Sequence, residues 1–168
     1  MVPDITIRRA TEEDIPAIQR VARTSWREAY GEFMPEEVID EMLAYGYSVD
    51  FLEEAISDTA VTMFVAQDEY SVVGYVSCEP PAEGDTGQVS IYVSPDYWGE
   101  GIGTALLERA EAYLSEKGAR SLQDVVLAAN EVGNAFYGKH FEQTEQTTVE
   151  MGDEEFDANV YTATLEPQ

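Results

Sequence analysis

The sequence predicts an α/β (α+β) fold in which a central, mostly antiparallel mixed sheet of about seven strands is flanked by about four helices. Three observations lead to this prediction. Apolar runs of strand length occur in seven places, and segments with helical apolar spacing lie between them. The polar tetrapeptide DEYS (68–71) separates the second and third runs, as in an antiparallel hairpin. A length of 168 residues suits one domain with its own core, so residues 1–168 are expected to form a single domain.

The elements follow in the order strand, helices, hairpin and third strand, helix, strand, helix, two strands. DITIRRA (4–10) alternates apolar and polar residues, as a half-buried strand does. Thr11 then caps an acidic first turn, and an apolar stripe that includes Ile18 continues as a helix to residue 30. Gly118 follows the fourth helical segment, at a position that ends helices. The other strand segments are 61–67, 72–80, 87–93, 121–129, 147–151 and 159–165, and the other helical segments are 34–43, 49–56, about 102–117 and 130–141.

The charge of the chain is strongly negative and evenly distributed. There are 34 acidic residues against nine basic ones, a formal net charge of −25, and the acids run from Glu12 to Glu166. Because the Debye length falls to about 3 Å in molar salt, such self-repulsion is screened there. We therefore expect a protein of an extreme halophile; an acidic docking surface for polyamines or basic proteins is the alternative. No basic patch could neutralise phosphates, which argues against nucleic-acid binding.

Other features of the composition point to a cytoplasmic protein. No apolar run approaches the roughly 20 residues that span a bilayer, and MVPDITIRR lacks the parts of a signal peptide. The single cysteine, Cys78, excludes an internal disulfide. No group of His, Cys and carboxylate residues has the spacing of metal ligands, so no metal is expected. The sequence does not decide the oligomeric state, which is a monomer or a homodimer.

The stretch DYWGEGIGTALLERA (96–110) contains three glycines at alternate positions, immediately before a helix. Glycines allow positive φ angles and a close approach to a ligand, and a helix start offers free N–H groups that attract anions. A pyrophosphate group is the expected ligand. A P-loop would need a lysine, and a dinucleotide-binding loop would need glycine where Thr104 stands. Asp124 follows the glycine loop at about the distance at which dinucleotide-binding proteins have the carboxylate that binds the ribose, but this spacing alone does not identify such a protein. A glycine turn that only begins a core helix is the alternative.

Two segments carry a resemblance to a known family. Residues 88–114 resemble the acetyl-CoA-binding segment of the GCN5-related N-acetyltransferase (GNAT) family, whose loop reads Gln/Arg-x-x-Gly-x-Gly/Ala. Here the loop is WGEGIG (98–103), and Trp98 replaces a polar or basic residue. Residues 130–141 resemble a second motif of the family, with Gly133 at its alanine position and His140 at its last glycine position. The two segments stand in the family's order and spacing.

The resemblance implies acetyl-CoA as acyl donor, an amine as acceptor, and roles for particular residues. Tyr137 would donate a proton to the departing thiolate, since a phenol with a pKa of about 10 is protonated at neutral pH. The backbone of the strand before the loop would pair with the pantetheine amides, and the Val93 N–H would polarise the thioester carbonyl. The loop would hold the pyrophosphate through backbone N–H groups. The implied cofactor-binding residues are Ile91, Val93, Trp98, Gly99, Glu100, Gly101, Ile102, Gly103, Thr104 and Asn130.

Several of these residues also have a purely structural interpretation. Tyr137 could be a core aromatic residue, and Asn130 a plain helix cap. The aromatic residues Trp26, Tyr30 and Phe33 could line an acceptor pocket or pack in the core. Cys78 and His140 lack a motif; a nucleophilic pair is one reading, a buried thiol and an edge imidazole the other. The general base cannot be read; the candidates are Glu28, Glu79, Ser90 and ordered water.

Two functions from different classes follow. The first is an acetyl-CoA-dependent N-acetyltransferase that acetylates a primary amine of a small molecule or a protein N-terminus by direct attack. The second is a non-catalytic acyl-CoA-binding regulatory module. Tyr137 favours the enzyme, because a pure binder needs no proton donor.

Overall fold

Seven strands and five α-helices form the computed structural model, which describes residues 5–32, 34–57, 61–69, 71–151 and 154–165. The five helices match the five helical segments predicted from the sequence, although the overall figure was about four. The two segments after residue 34 are separate helices, as predicted: one ends at Gly46, and the Ser48 hydroxyl accepts the Phe51 N–H at 3.1 Å at the start of the next. The elements are β1 Thr6–Arg9, α1 Ile15–Tyr30, α2 Glu36–Gly46, α3 Val49–Ser57, β2 Thr62–Gln67, β3 Val72–Glu79, β4 Thr86–Val93, α4 Ile102–Glu116, β5 Ser121–Leu127, α5 Glu131–His140, β6 Glu142–Met151 and β7 Glu154–Thr164.

The strands form one mixed sheet in the order β1-β2-β3-β4-β5-β7-β6. Every neighbouring pair is antiparallel except β4 and β5, which confirms the predicted mostly antiparallel mixed sheet. Strands β6 and β7 begin about five residues earlier than predicted. Their first residues, EQTEQ (142–146) and EEFDA (154–158), are largely polar and exposed, so their strand structure comes from mutual pairing and not from an apolar pattern.

The sheet separates two apolar layers. Helices α4 and α5 cover one face, where Leu106 and Leu114 are fully buried against β3 and β4. Helices α1, α2 and α3 cover the other face, where the predicted stripe of α1, including Ile18, is fully buried. Gly118 ends α4 with a φ of 94°, as predicted. No helix in the described ranges has an apolar stretch long enough to cross a lipid bilayer.

The one parallel pair of strands separates after three residues. Strands β4 and β5 are in register from Thr86↔Ser121 to Gln88↔Gln123. Beyond this point β4 continues beside β3, and β5 continues beside β7 to Leu127. The C-terminal halves of β4 and β5 therefore lack each other as partners, and a cleft opens between them.

Candidate functional site

The open side of β4 presents backbone polar groups to the cleft. The Ser94 N–H donates to the Val73 carbonyl at 2.8 Å, which makes the neighbouring Gly74↔Val93 pair a non-hydrogen-bonded one. Since the pattern alternates, the N–H and C=O groups of Val93 and Ile91 point away from β3. No residue of β5 pairs with them. A ligand with amide groups could therefore add to this edge as a strand does.

The end of β4 is fixed by two side chains. The Val93 carbonyl accepts the Trp98 indole N–H at 2.7 Å and the Ser25 hydroxyl at 3.0 Å. Trp98 thus ties the glycine loop to the strand before it, and Ser25 ties α1 to the same point. The residue that departs from the family's loop pattern has a structural role, and its ring also lines the cleft.

The three glycines of the loop serve two purposes. Gly99 and Gly101 have φ angles of 83° and 87°, a conformation that other residues rarely adopt. A Cβ atom at either position would meet nothing within 4 Å, so backbone conformation and not crowding requires glycine there. At Gly103 a Cβ would lie 3.0 Å from the Phe136 ring, so this glycine lets α4 approach α5 closely.

The first turn of α4 offers unpaired donors. Its N-cap is Gly101, which has no side chain to cap it, and the first hydrogen bond of the helix joins Ala105 N to the Gly101 carbonyl at 3.1 Å. The N–H groups of Ile102, Gly103 and Thr104 donate to no other residue that the structure describes. Together with the helix dipole, they form a cradle that suits a pyrophosphate.

The outer part of the cleft extends from this cradle to α5 over a volume of about 510 Å³. Lys139 and His140 at the end of α5 lie on its wall, and the His140 Nε2 is 3.3 Å from the Thr104 hydroxyl. Lys139 is one of only two lysines in the chain. Neither residue was expected from the sequence to have a binding role, although both lie in the segment 130–141 that resembles a family motif. Both residues line the cleft of a chain in which 34 acidic residues stand against nine basic ones.

The inner part of the cleft is a cavity of about 70 Å³ where Tyr137 meets the open edge of β4. Tyr137 is 4% exposed, and its hydroxyl has no hydrogen-bond partner among the residues described. Burial, with the nearby Asp124 carboxyl, raises the pKa of Tyr137 well above its ordinary value, although the Ile91 backbone lowers it. The phenol therefore stays protonated at neutral pH.

Asp124 also lines this inner cavity. Desolvation raises the pKa of its carboxyl to about 7, while Tyr137 and the Val125 backbone lower it. The Val125 N–H donates to Asp124 Oδ1 at 2.8 Å. In the sequence, the spacing of Asp124 from the glycine loop pointed only to a ribose site. The signal that could have found it is a carboxylate inside the apolar strand SLQDVVL (121–127).

Asn130 has the capping role that stood as the alternative, and it also lines the inner cavity. Its Oδ1 accepts the Gly133 N–H at 2.9 Å, and its Nδ2 donates to the Tyr30 hydroxyl at 3.3 Å. Tyr30 lies on the cavity wall too, whereas Trp26 is buried in the core and meets Tyr30 edge to face at 5.1 Å. Phe33, the third aromatic candidate, lies outside the described residues.

The candidates for a general base do not line the described cleft. Glu28 is exposed on α1, and Glu79 and Ser90 pair across β3 and β4 with Gln88 and Ser77.

Cys78 is fully buried in the core beneath α4, and burial raises the pKa of its thiol to about 12, so it is unsuited to be a nucleophile. Within the described part of the chain, no cluster of His, Cys, Asp and Glu could hold a metal ion.

A mixed sheet that opens at its one parallel pair, with an anion cradle at a helix start beside the opening, has the form of an acyltransferase that uses a coenzyme A thioester. Comparison with known proteins agrees. Residues 18–141 match the acetyltransferase (GNAT) family. The chain is 29% identical over 147 residues to the spermidine N(1)-acetyltransferase of Thermoplasma acidophilum, covering 85% of this chain and 91% of that protein. It is 34% identical over 131 residues to the uncharacterized N-acetyltransferase YuaI of Bacillus subtilis, covering 75% of this chain and 73% of that protein.

A solved structure supports the same assignment. The crystal structure of the PaiA N-acetyltransferase of Thermoplasma acidophilum in complex with coenzyme A matches with a TM-score of 0.80 and 26% identity, over 93% of this chain and 98% of that chain. The chain belongs to the GNAT family, and it is an acetyl-CoA-dependent N-acetyltransferase with an amine as acceptor. This favours the enzyme over the non-catalytic binding module.

Proposed function

We propose that the protein transfers the acetyl group of acetyl-CoA directly to a primary amine, and that Tyr137 protonates the departing thiolate. The observation that carries this proposal is the position of the Tyr137 hydroxyl. It is buried without a hydrogen-bond partner in the described structure, beside the unpaired edge of β4. A thioester bound along that edge would bring its sulfur to the phenol, whose raised pKa keeps the proton available.

Backbone groups would hold most of the cofactor. The N–H groups at the start of α4 would bind the pyrophosphate, and the edge of β4 would pair with the pantetheine amides. The Val93 N–H would stabilise the oxyanion of the tetrahedral intermediate. On the outer wall, Lys139 would add a positive charge and the His140 ring a hydrogen-bonding group. The proposed cofactor-binding residues are Ile91, Val93, Trp98, Gly99, Glu100, Gly101, Ile102, Gly103, Thr104 and Asn130, together with Lys139 and His140.

The acceptor that fits best is a polyamine. The chain is similar along most of its length to a spermidine N(1)-acetyltransferase. The inner cavity contains the Asp124 carboxyl, which could attract an ammonium group. At its edge, Val125 and Val132 are each 42% exposed and could pack against the methylene chain of such an amine.

The cellular setting is part of the proposal. We infer that the chain forms one domain in the cytoplasm of an extreme halophile. Supporting this are the net charge of −25, the small number of lysines and the single buried cysteine. In molar salt only charges a few ångströms apart interact strongly, so an acceptor would be recognised by groups inside the cleft and not by the overall charge.

The test is release of free thiol from acetyl-CoA with a panel of amines, in both low and molar KCl. The panel contains spermidine, spermine, an amino acid, an aminoglycoside and a peptide with a free N-terminus. We expect the highest kcat/KM with a polyamine and a mass increase of one acetyl group on the product. Coenzyme A binding without thiol release from any amine would instead favour the non-catalytic module.

A further inference from the structure

We propose that Asp124 is the catalytic base, which takes the proton that the acceptor ammonium must lose before attack. This inference rests on the proposed function and names a residue for a step that the sequence left unassigned. It depends on the place of Asp124 in the sheet, on the groups around it and on its relation to Tyr137.

The sheet places Asp124 at the inner end of the cleft. Gln123 is the last residue of β5 that pairs with β4, so Asp124 is the first residue beyond the point of separation. Because strand side chains alternate, Asp124 shares a face with Leu122 and Val126, whose side chains lie in the layer that contains Tyr137. Asp124, Ile91 and Tyr137 all line the same cavity.

The groups around Asp124 are phenols, and none is a cation. No arginine, lysine or histidine in the described residues forms an ion pair with it, and none contributes to its pKa. Asp124 is half-buried on the wall of the cavity without a cationic partner, so its carboxylate is suited to a cation that enters from the cleft. The acceptor ammonium is such a cation. On its own face of the sheet, Asp124 is close to Tyr137 from α5 and to its cross-strand neighbour Tyr161 from β7. Three phenols of the opposite layer also interact electrostatically with it: Tyr30 from α1, Tyr47 after α2 and Tyr92 from β4.

The two groups complete the proton balance of the reaction. An ammonium nitrogen has two protons to lose when it becomes an amide. The first passes to an Asp124 oxygen, which leaves the nitrogen lone pair free to attack the thioester carbon. When the C–S bond breaks, its electron pair goes to sulfur, and the Tyr137 O–H protonates the thiolate. The second nitrogen proton then restores the phenol, and Asp124 releases its proton to solvent as the products leave.

The pKa of Asp124 suits this role. A carboxyl with an ordinary pKa of about 4 would be a weak base toward an ammonium group whose pKa is about 10. Its pKa of about 7 in this cavity makes it a stronger base that is still substantially ionised at neutral pH.

The experiment compares Asp124→Asn with wild type on two acceptors. One is the best basic amine from the panel, and the other is a small primary amine whose ammonium pKa lies below the assay pH. The asparagine variant should lose about 10²–10⁴-fold in kcat with the basic amine, which needs a base. With the weakly basic amine, already deprotonated, the loss should be less than about tenfold. With the weakly basic amine the acid limb of the kcat/KM profile should also disappear, whereas with the basic amine it should move up toward the ammonium pKa of about 10. Asp157→Asn, an exposed change on β7, is the control and should match wild type.

The alternatives give different results. Equal losses with both amines would mean that Asp124 supports the structure or positions Tyr137, and a rise in KM alone would mean that it binds the cation without taking its proton. Either result, or unchanged kinetics, overturns the inference. Coenzyme A affinity and melting temperature show whether Asp124→Asn is misfolded. If it is, Asp124→Glu is measured in its place, and the inference requires that this variant retain the acid limb of the kcat/KM profile. If wild type acetylates none of the amines, the proposed function itself has failed.

Discussion

Replacing Tyr137 with phenylalanine should separate catalysis from stability. The change removes one hydroxyl group and keeps the ring that packs against Phe136, Phe141 and Tyr161. That hydroxyl is buried and makes no hydrogen bond with any described residue. A buried polar group without a partner costs about 1–3 kcal/mol, so its removal should leave the free energy of unfolding unchanged or raise it by about 1–2 kcal/mol. In a chain of this length, that rise corresponds to a few degrees in Tm.

Turnover should change in the opposite direction. Loss of a general acid typically lowers the rate by about 10²–10⁴-fold, or about 3–5 kcal/mol in the activation barrier. Thiol release under saturating substrates measures this effect, calorimetric titration measures coenzyme A affinity, and thermal unfolding measures stability. We expect a large fall in kcat, an affinity within about threefold of wild type, and an equal or higher Tm.

Tyr161→Phe is the matched control. Tyr161 stacks on Tyr137 with ring centroids 5.7 Å apart, but its hydroxyl donates to Asn134 Oδ1 at 2.7 Å. Its removal should therefore cost about 1 kcal/mol of stability with little effect on turnover. If Tyr137→Phe instead behaves like this control, with normal turnover and lower stability, then Tyr137 is a core residue and its assignment as the acid is refuted.

Three further predictions concern the glycine loop, the net charge and the Asp124 carboxyl. Gly101→Asp should abolish coenzyme A binding, because a carboxylate would enter the anion cradle and the φ of 87° disfavours any side chain; wild-type affinity by calorimetry would exclude this cradle. The Tm should rise steeply from low to molar KCl as repulsion within a chain of charge −25 is screened, and a Tm independent of KCl would contradict the salt-adapted surface. Folding raises the pKa of Asp124 from 3.8 to about 7, so the stability that its protonated form provides is complete below pH 4 and is lost as the pH rises through 7. The free energy of unfolding of Asp124→Asn, relative to wild type, should therefore increase by up to about 4 kcal/mol between pH 4 and pH 8, and an equal difference at both pH values would contradict this pKa.

The fold could be predicted from the sequence wherever one element has one apolar face. Helix α1 has its stripe at helical spacing, and the runs that became β2, β3 and β4 are apolar and bounded by turns. The first halves of β6 and β7 were missed because their residues are polar; only their partner strand makes them strands. Local patterns carry no information about such pairing.

The site could be predicted only where its residues stand in local sequence motifs. The glycine loop and Tyr137 stand in local motifs, and the structure brings both to one cleft. Asp124 and Ser25 have no local motif, and they reach the cleft only because β4 and β5 separate and α1 crosses that point. The position of Trp98 was predicted, but its hydrogen bond to Val93 depends on the turn geometry of the loop.

The separation of β4 and β5 also explains how a strongly acidic chain could bind an anionic cofactor and a cationic acceptor in one cleft. The cradle uses backbone N–H groups, whose dipoles are present at any surface charge. Lys139 and His140 lie on the outer wall, whereas Asp124 lies at the inner end. The cleft thus becomes more negative from the phosphate end toward the point of reaction. Because a Debye length of about 3 Å in molar salt screens distant charges, only this local order of groups would orient the two substrates. Substitutions inside the cleft should accordingly change activity far more than the removal of acidic residues from the outer surface.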